Sequence, residues 1–102
     1  MSLPTSIICH IPAGIQSRQA LFDALAVGLR LPEYFGRNWD ALHDCLGDLE
    51  WLPPGVVEIR HEDVPLAADP EGRRTYLELL REAAELRAST PFRRLKVVFP
   101  SR

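Results

Sequence analysis

No apolar run in this 102-residue chain approaches the roughly 18–20 residues that cross a bilayer. The opening residues, MSLPTSIICHIPAG, carry a short apolar run with no basic segment ahead of it, so no signal peptide is expected and the cytoplasm is the default compartment. Cysteine is scarce. Cys9 and Cys45 lie far apart, form no CxxC or zinc-type spacing, and sit in apolar contexts that favour buried, reduced thiols. The motifs of nucleotide binding and hydrolysis are missing too: there is no phosphate-cradling glycine loop, GxGxxG, GxSxG or HExxH. Internal repeats and low-complexity segments are absent, and the composition is ordinary for a globular protein. The length suits one core, so residues 1–102 are expected to form a single domain.

Positive charge is nearly missing from one stretch. Residues 31–50 hold Glu33, Asp40, Asp44, Asp48 and Glu50 against Arg37 alone, whereas residues 71–102 hold eight Arg or Lys against four Glu. Acidic and basic poles on a small domain steer charged partners of opposite field. The acidic pole argues against nucleic acid as its direct ligand, and the basic residues read as scattered helix-surface charges.

What is present has a clear order. Ser6 to Ile11 reads as a strand ended by Pro12 and Gly14, and Ser17 caps a helix over roughly Arg18–Leu29. Pro32 suits the first position of a short helical turn and Gly36 its left-handed exit. Asn38 caps the next helix, which closes before Pro53-Pro54-Gly55. Val56, Val57 and Ile59 lie on a second strand, Glu62–Gly72 reads as a loop, and Arg73–Arg87 as a long helix packing through Tyr76, Leu79, Leu80, Ala83 and Leu86 or Arg87. Leu95–Phe99 is the third strand. Strands separated by helices predict an α/β fold in which a three-stranded parallel sheet packs with about four helices.

Within this frame LPEYFGRNWDALHDCLGDL, residues 31–49, is the informative segment. At about 100° per residue, Trp39, Leu42, Cys45, Leu46 and Leu49 share one helix face, and Asp40, Asp44 and Asp48 follow one another at i, i+4, i+8 on the other. Like charges so spaced cost an isolated helix roughly 0.2–0.5 kcal/mol per pair. A sequence selected for stability alone would place Lys or Arg among them, so the stripe points to a partner. A metal-dependent hydrolase using Asp40, His43 and Asp44 is the enzymatic alternative, because carboxylate and imidazole at i, i+3 and i+4 can share a cation; no second cluster completes such a shell. His43 and Cys45 point in different directions and make no nucleophile–base pair. His10 and His61, at or near strand ends, read as surface or capping residues. Tyr34, one turn before the acidic stripe, suits an interface anchor, and spacing leaves a core position equally open.

The run LPEYFGRNWDALHDCL closely resembles the central segment of the barstar family of ribonuclease inhibitors, and a weaker match follows the rest of the chain in the expected order. The resemblance implies a barstar-like fold and an immunity protein, bacterial in type, that blocks a basic extracellular-type or toxin ribonuclease of the barnase kind. In that family an acidic helix and the turn before it fill the enzyme's active site, and carboxylates stand where substrate phosphates would. By position, Tyr34 matches the turn tyrosine, Asn38 the cap, Asp40 and Asp44 the two helix aspartates, and Glu82 an outlying acidic contact. No cofactor, catalysis, membrane or direct nucleic-acid contact is implied, and a monomer is expected when free.

The segment also departs from the family. His43 stands where a tryptophan contact is expected, and Gly47, Asp48 and Leu49 replace the Thr-Gly-Trp that closes the binding loop. Arg37 replaces an acidic residue. These changes leave open a further alternative, a barstar-fold interaction module with a partner that is not a ribonuclease.

Overall fold

In a computed structural model, residues 5–33, 35–49, 51–88 and 93–100 are described. Three strands, β1 (Thr5–Ile11), β2 (Gly55–His61) and β3 (Arg93–Val98), form one sheet in the order β1-β2-β3. Both pairings are parallel, and the register sets Ile7 beside Val57 and Val57 beside Leu95. Parallel neighbours need crossovers. Helices α1 (Arg18–Gly28) and α2 (Trp39–Asp48) lie on the first, α3 (Pro70–Ala88) on the second. Strand alternation then sorts the side chains: Ile7, Cys9, Ile11, Val57, Ile59 and Leu95 are buried under the helices, while Ile8, Arg60, Arg94 and Lys96 stand on an exposed face. No helix among the described residues is long and apolar enough to cross a membrane.

Local chemistry accounts for the helix ends. The Ser17 hydroxyl accepts from the Ala20 amide at 3.1 Å and starts α1. That helix approaches β1 so closely that a Cβ on Gly28 would lie 3.1 Å from the Cys9 Cα and collide with the Cys9 thiol, which makes glycine the residue that fits there. Asn38 Oδ1 accepts from the Ala41 amide at 2.8 Å and starts α2. Leu49, left-handed at φ 53°, closes it with its amide donating to the Cys45 carbonyl.

Two segments of the chain depart from the expectations of the sequence. The segment after Pro32 is a turn and not a fourth helix: Phe35 N–H donates to the Pro32 carbonyl at 2.9 Å, and three helices are present among the described residues. The left-handed residue of this connection is Arg37, φ 50°, and not Gly36. The long helix also begins earlier than Arg73. Asp69 accepts from the Gly72 amide at 3.0 Å, and Pro70 occupies the first helical position, where its missing N–H costs nothing. Asp69 also takes two bonds from the Arg18 guanidinium, which with the Gly72 amide hold its carboxyl below the usual carboxylate range.

His61 is a third departure. It lies on β2 in phase with Val57 and Ile59, so its ring points into the core and is only 4% exposed. The Val98 carbonyl can only accept, so His61 Nδ1 donates to it, at 2.9 Å; Nε2 of the neutral ring then accepts from the Tyr76 hydroxyl at 2.7 Å. Phe99 stacks on the imidazole at 4.2 Å between centroids. Burial lowers the His61 pKa from 6.5, against smaller opposing pulls from the Val98 carbonyl and the Asp63 charge. Cys9 and Cys45 are free buried thiols, and burial pushes Cys9 up to about 12.

Candidate functional site

Helix α2 is held by its apolar face and leaves its acidic face outside. Leu42, Cys45, Leu46 and Leu49 are buried. Fully burying a leucine side chain is worth roughly 1.5–3 kcal/mol, several times the cost of a like-charge pair on a helix, roughly 0.2–0.5 kcal/mol. The fold therefore tolerates the aspartates without a compensating cation among the described residues. Trp39 fixes the beginning of the helix. Its half-buried ring lies edge-on to Phe22 at 4.9 Å and tilted against Tyr76 at 6.1 Å, tying α1, α2 and α3 together, with the Arg18 guanidinium 5.8 Å from the ring centre.

Asp40, Asp44 and Asp48 are all exposed, as the spacing predicts. Asp40 lies in the first turn, where the helix dipole favours a carboxylate. Carboxylates elsewhere have cations within reach: Arg18–Asp69 at 2.7 Å, Arg37–Asp23 at 3.0 Å and Arg60–Glu58 at 2.6 Å. Among the described residues, the three α2 aspartates accept no hydrogen bond and enter no ion pair. Their charge still reaches inward: burial first, then Asp44 and Asp48, raise the pKa of the Cys45 thiol. That places Cys45 in the setting of an inert structural thiol.

Helices α2 and α3 meet across a groove of about 190 Å³ lined by Trp39, Asp40, His43, Thr75, Glu78, Leu79 and Glu82. His43 Nε2 lies 3.6 Å from Glu82 Oε1, and both side chains are more than half exposed. The sequence-predicted residues Asp40, His43 and Glu82 are thus brought together, while Asp44 and Asp48 lie outside the groove lining, farther along α2. Gly47 is half-buried, and a Cβ there would touch Leu86 Cδ2 at 3.8 Å. Of the two residues expected to end the packing side of the long helix, Leu86 is 56% exposed, and the Arg87 side chain lies outside the described residues. Tyr34 falls outside the described residues. Asn38 stands at the helix start with its side chain engaged by Ala41 and Gly36.

Glu78 and Thr75 are site-lining residues that the sequence reading passed over. The signal was available, since both precede Glu82 by whole helical turns on α3. Among the described residues, no set of three His, Cys, Asp or Glu converges as a metal site. The exposed face of α2 is anionic, and the groove beside it is small. Such a surface suits contact with a cationic cleft better than enclosure of a small molecule.

A family model described as Barstar (barnase inhibitor) matches residues 8–98, a span that takes in β2, β3 and all three helices. The three-stranded parallel sheet agrees with the fold expected from the resemblance. That family is one of inhibitors and not of enzymes. With nearly the whole chain inside the match, this protein belongs to the barstar family.

Proposed function

We propose that the chain inhibits a basic ribonuclease of the barnase type by stoichiometric occlusion, as an immunity protein acting without cofactor and as a single domain. The exposed carboxylates of α2, without a partner among the described residues, carry this reading. A ribonuclease must bind phosphates, so its cleft presents Arg, Lys and His. Aspartate carboxylates are small anions that pair with guanidinium groups in the geometry of phosphate. Asp40 and Asp44 take the central contacts, with Asp44 foremost. Asn38, Tyr34 and Gly47 shape the docking edge, Glu82 adds an outlying contact across the groove, and His43 and Asp48 tune which enzyme fits.

Calorimetry and inhibition assays with basic ribonucleases of the barnase type test the proposal. Binding should be tight and should weaken steeply with salt, because exposed complementary charges are screened. Asp44→Ala should weaken it by about tenfold or more, the scale of an interface hot spot. Absence of binding and of inhibition at low salt across such enzymes would sink the proposal.

A further inference from the structure

The long helix has two flanks of opposite character. One faces α2 and carries Glu78 and Glu82. The other borders β3, where a groove of about 240 Å³ opens; a second groove of about 380 Å³, which touches no β3 residue and has Glu78 on its wall, shares Leu77 with it. The groove beside β3 is lined by Leu77, Leu80, Ala84, Val97 and Phe99 with Arg81, which pairs with Glu85 at 3.3 Å, and Arg74 stands in the second groove. The smaller groove runs beside a sheet edge, because β3 ends the strand order and no other described strand pairs with its outer side. On the exposed sheet face of the same strand stand Arg94 and Lys96, neither of which has an acidic partner among the described residues. Glu58, beside Lys96 in register, is held by Arg60 at 2.6 Å.

We infer that the β3 edge and this groove dock an extended, acidic and aliphatic segment of a partner protein by strand addition. Side chains alternate across a strand. One set of the added strand therefore enters the Leu77–Val97–Phe99 groove, and the other lies beside Arg94 and Lys96, where carboxylates are favoured as cross-strand neighbours. A second copy of this chain is a poor occupant, since pairing β3 with β3 sets the Arg94 and Lys96 cations of both copies on one small face. Single-stranded nucleic acid is disfavoured because the exposed sheet face has no Phe, Tyr or Trp on which bases would stack. This site is distinct from the α2 surface and stands or falls independently of the ribonuclease reading.

The test uses a short fluorescent peptide alternating Glu and Val, its Lys/Val counterpart, and a Glu/Val version N-methylated on alternate residues. Anisotropy should show the Glu/Val peptide binding about tenfold or more tighter than the other two, a difference of about 1.4 kcal/mol. Amide shifts should concentrate on β3 and on the Leu77–Ala84 flank of α3. Arg94→Glu with Lys96→Glu should remove the preference while leaving the circular dichroism spectrum unchanged. Equal binding of the Glu/Val and Lys/Val peptides, indifference to N-methylation, or shifts centred on α2 would each overturn the inference. So would displacement of the peptide by poly(U), or dimerisation through β3 in sedimentation.

Discussion

The carboxylates of α2 and the imidazole of His61 are polar groups on elements whose remaining residues build one core, yet the fold treats them in opposite ways. His61 is buried with both ring nitrogens bonded, one to the Val98 carbonyl and one to the Tyr76 hydroxyl. Asp40, Asp44 and Asp48 are exposed without a partner among the described residues. A buried polar group left unbonded costs about 1–3 kcal/mol, so the His61 set must be complete for the fold to stand. An unpaired surface carboxylate costs far less, because water solvates it. Polar residues that are completed internally therefore report on stability, and polar residues kept together but uncompleted report on what the protein meets.

The sharpest way to break the distinction is to open the buried set. Tyr76→Phe removes the hydroxyl that donates to His61 Nε2 and leaves that nitrogen buried without a partner. Chemical denaturation should show a loss of about 1–3 kcal/mol, with ribonuclease binding measured well below the unfolding midpoint unchanged. A loss within error would mean that water reaches the ring and that the pair is not a closed unit. The same set has a pH signature. Because burial holds the folded pKa of His61 below 6.5, the folded protein takes up this proton less readily than the unfolded chain. The stability due to neutral His61 is then complete above about pH 6.5 and is lost as pH falls from there toward the folded value. Urea midpoints followed downward from pH 7 should fall faster for the native protein than for His61→Leu; parallel curves would remove His61 from the acid response.

The same two regions differ in how legible they were in the sequence. The α2 stripe was readable because a single helix has a single period: Leu42, Cys45, Leu46 and Leu49 on one face fix the aspartates on the other. The strands and their parallel order were readable from apolar runs separated by helices. His61 was misread because its place at the end of a strand was weighed above its phase with Val57 and Ile59, which turns it inward. The error at α3 arose from reading Pro70 as a breaker, although an aspartate before it and a free first-turn position make it a helix starter. The expected helix at Pro32 failed because favourable end residues do not by themselves make a helix; among the described residues, the bond from Phe35 to Pro32 closes a turn. The α2–α3 groove, with Glu78 on its wall, was not legible from either helix alone, since it exists only once Trp39 has docked against Tyr76.

Between the two regions lies Asn38, which serves both fold and surface. Its carboxamide oxygen satisfies the Ala41 amide, so Asn38→Ala should cost about 1 kcal/mol of stability through the lost cap. If α2 frays at that end, Asp40 moves with it, and ribonuclease binding should weaken more than the loss of one side-chain contact explains. Asn38→Asp keeps the cap and adds a charge, so it should restore stability. Recovery of stability without recovery of binding would make the amide itself a contact; recovery of both would make Asn38 a positioning residue.

The smallest stability change is the most discriminating. Asp44 lies between Asp40 and Asp48 at helical spacing, and Asp44→Asn removes one charge from both like-charge pairs while preserving shape. At roughly 0.2–0.5 kcal/mol per pair, the free protein should become slightly more stable at low salt, with the gain fading as salt screens the charges. Its binding to a barnase-type ribonuclease should move the other way, by about tenfold or more if Asp44 is a hot spot. A residue kept for the fold cannot give that pair of results, because its loss lowers stability and leaves affinity alone. Thermal melts and titrations on the same variant across a salt series make the comparison. A stability loss with unchanged binding would move Asp44 from the docking surface into the set of residues that the fold itself requires.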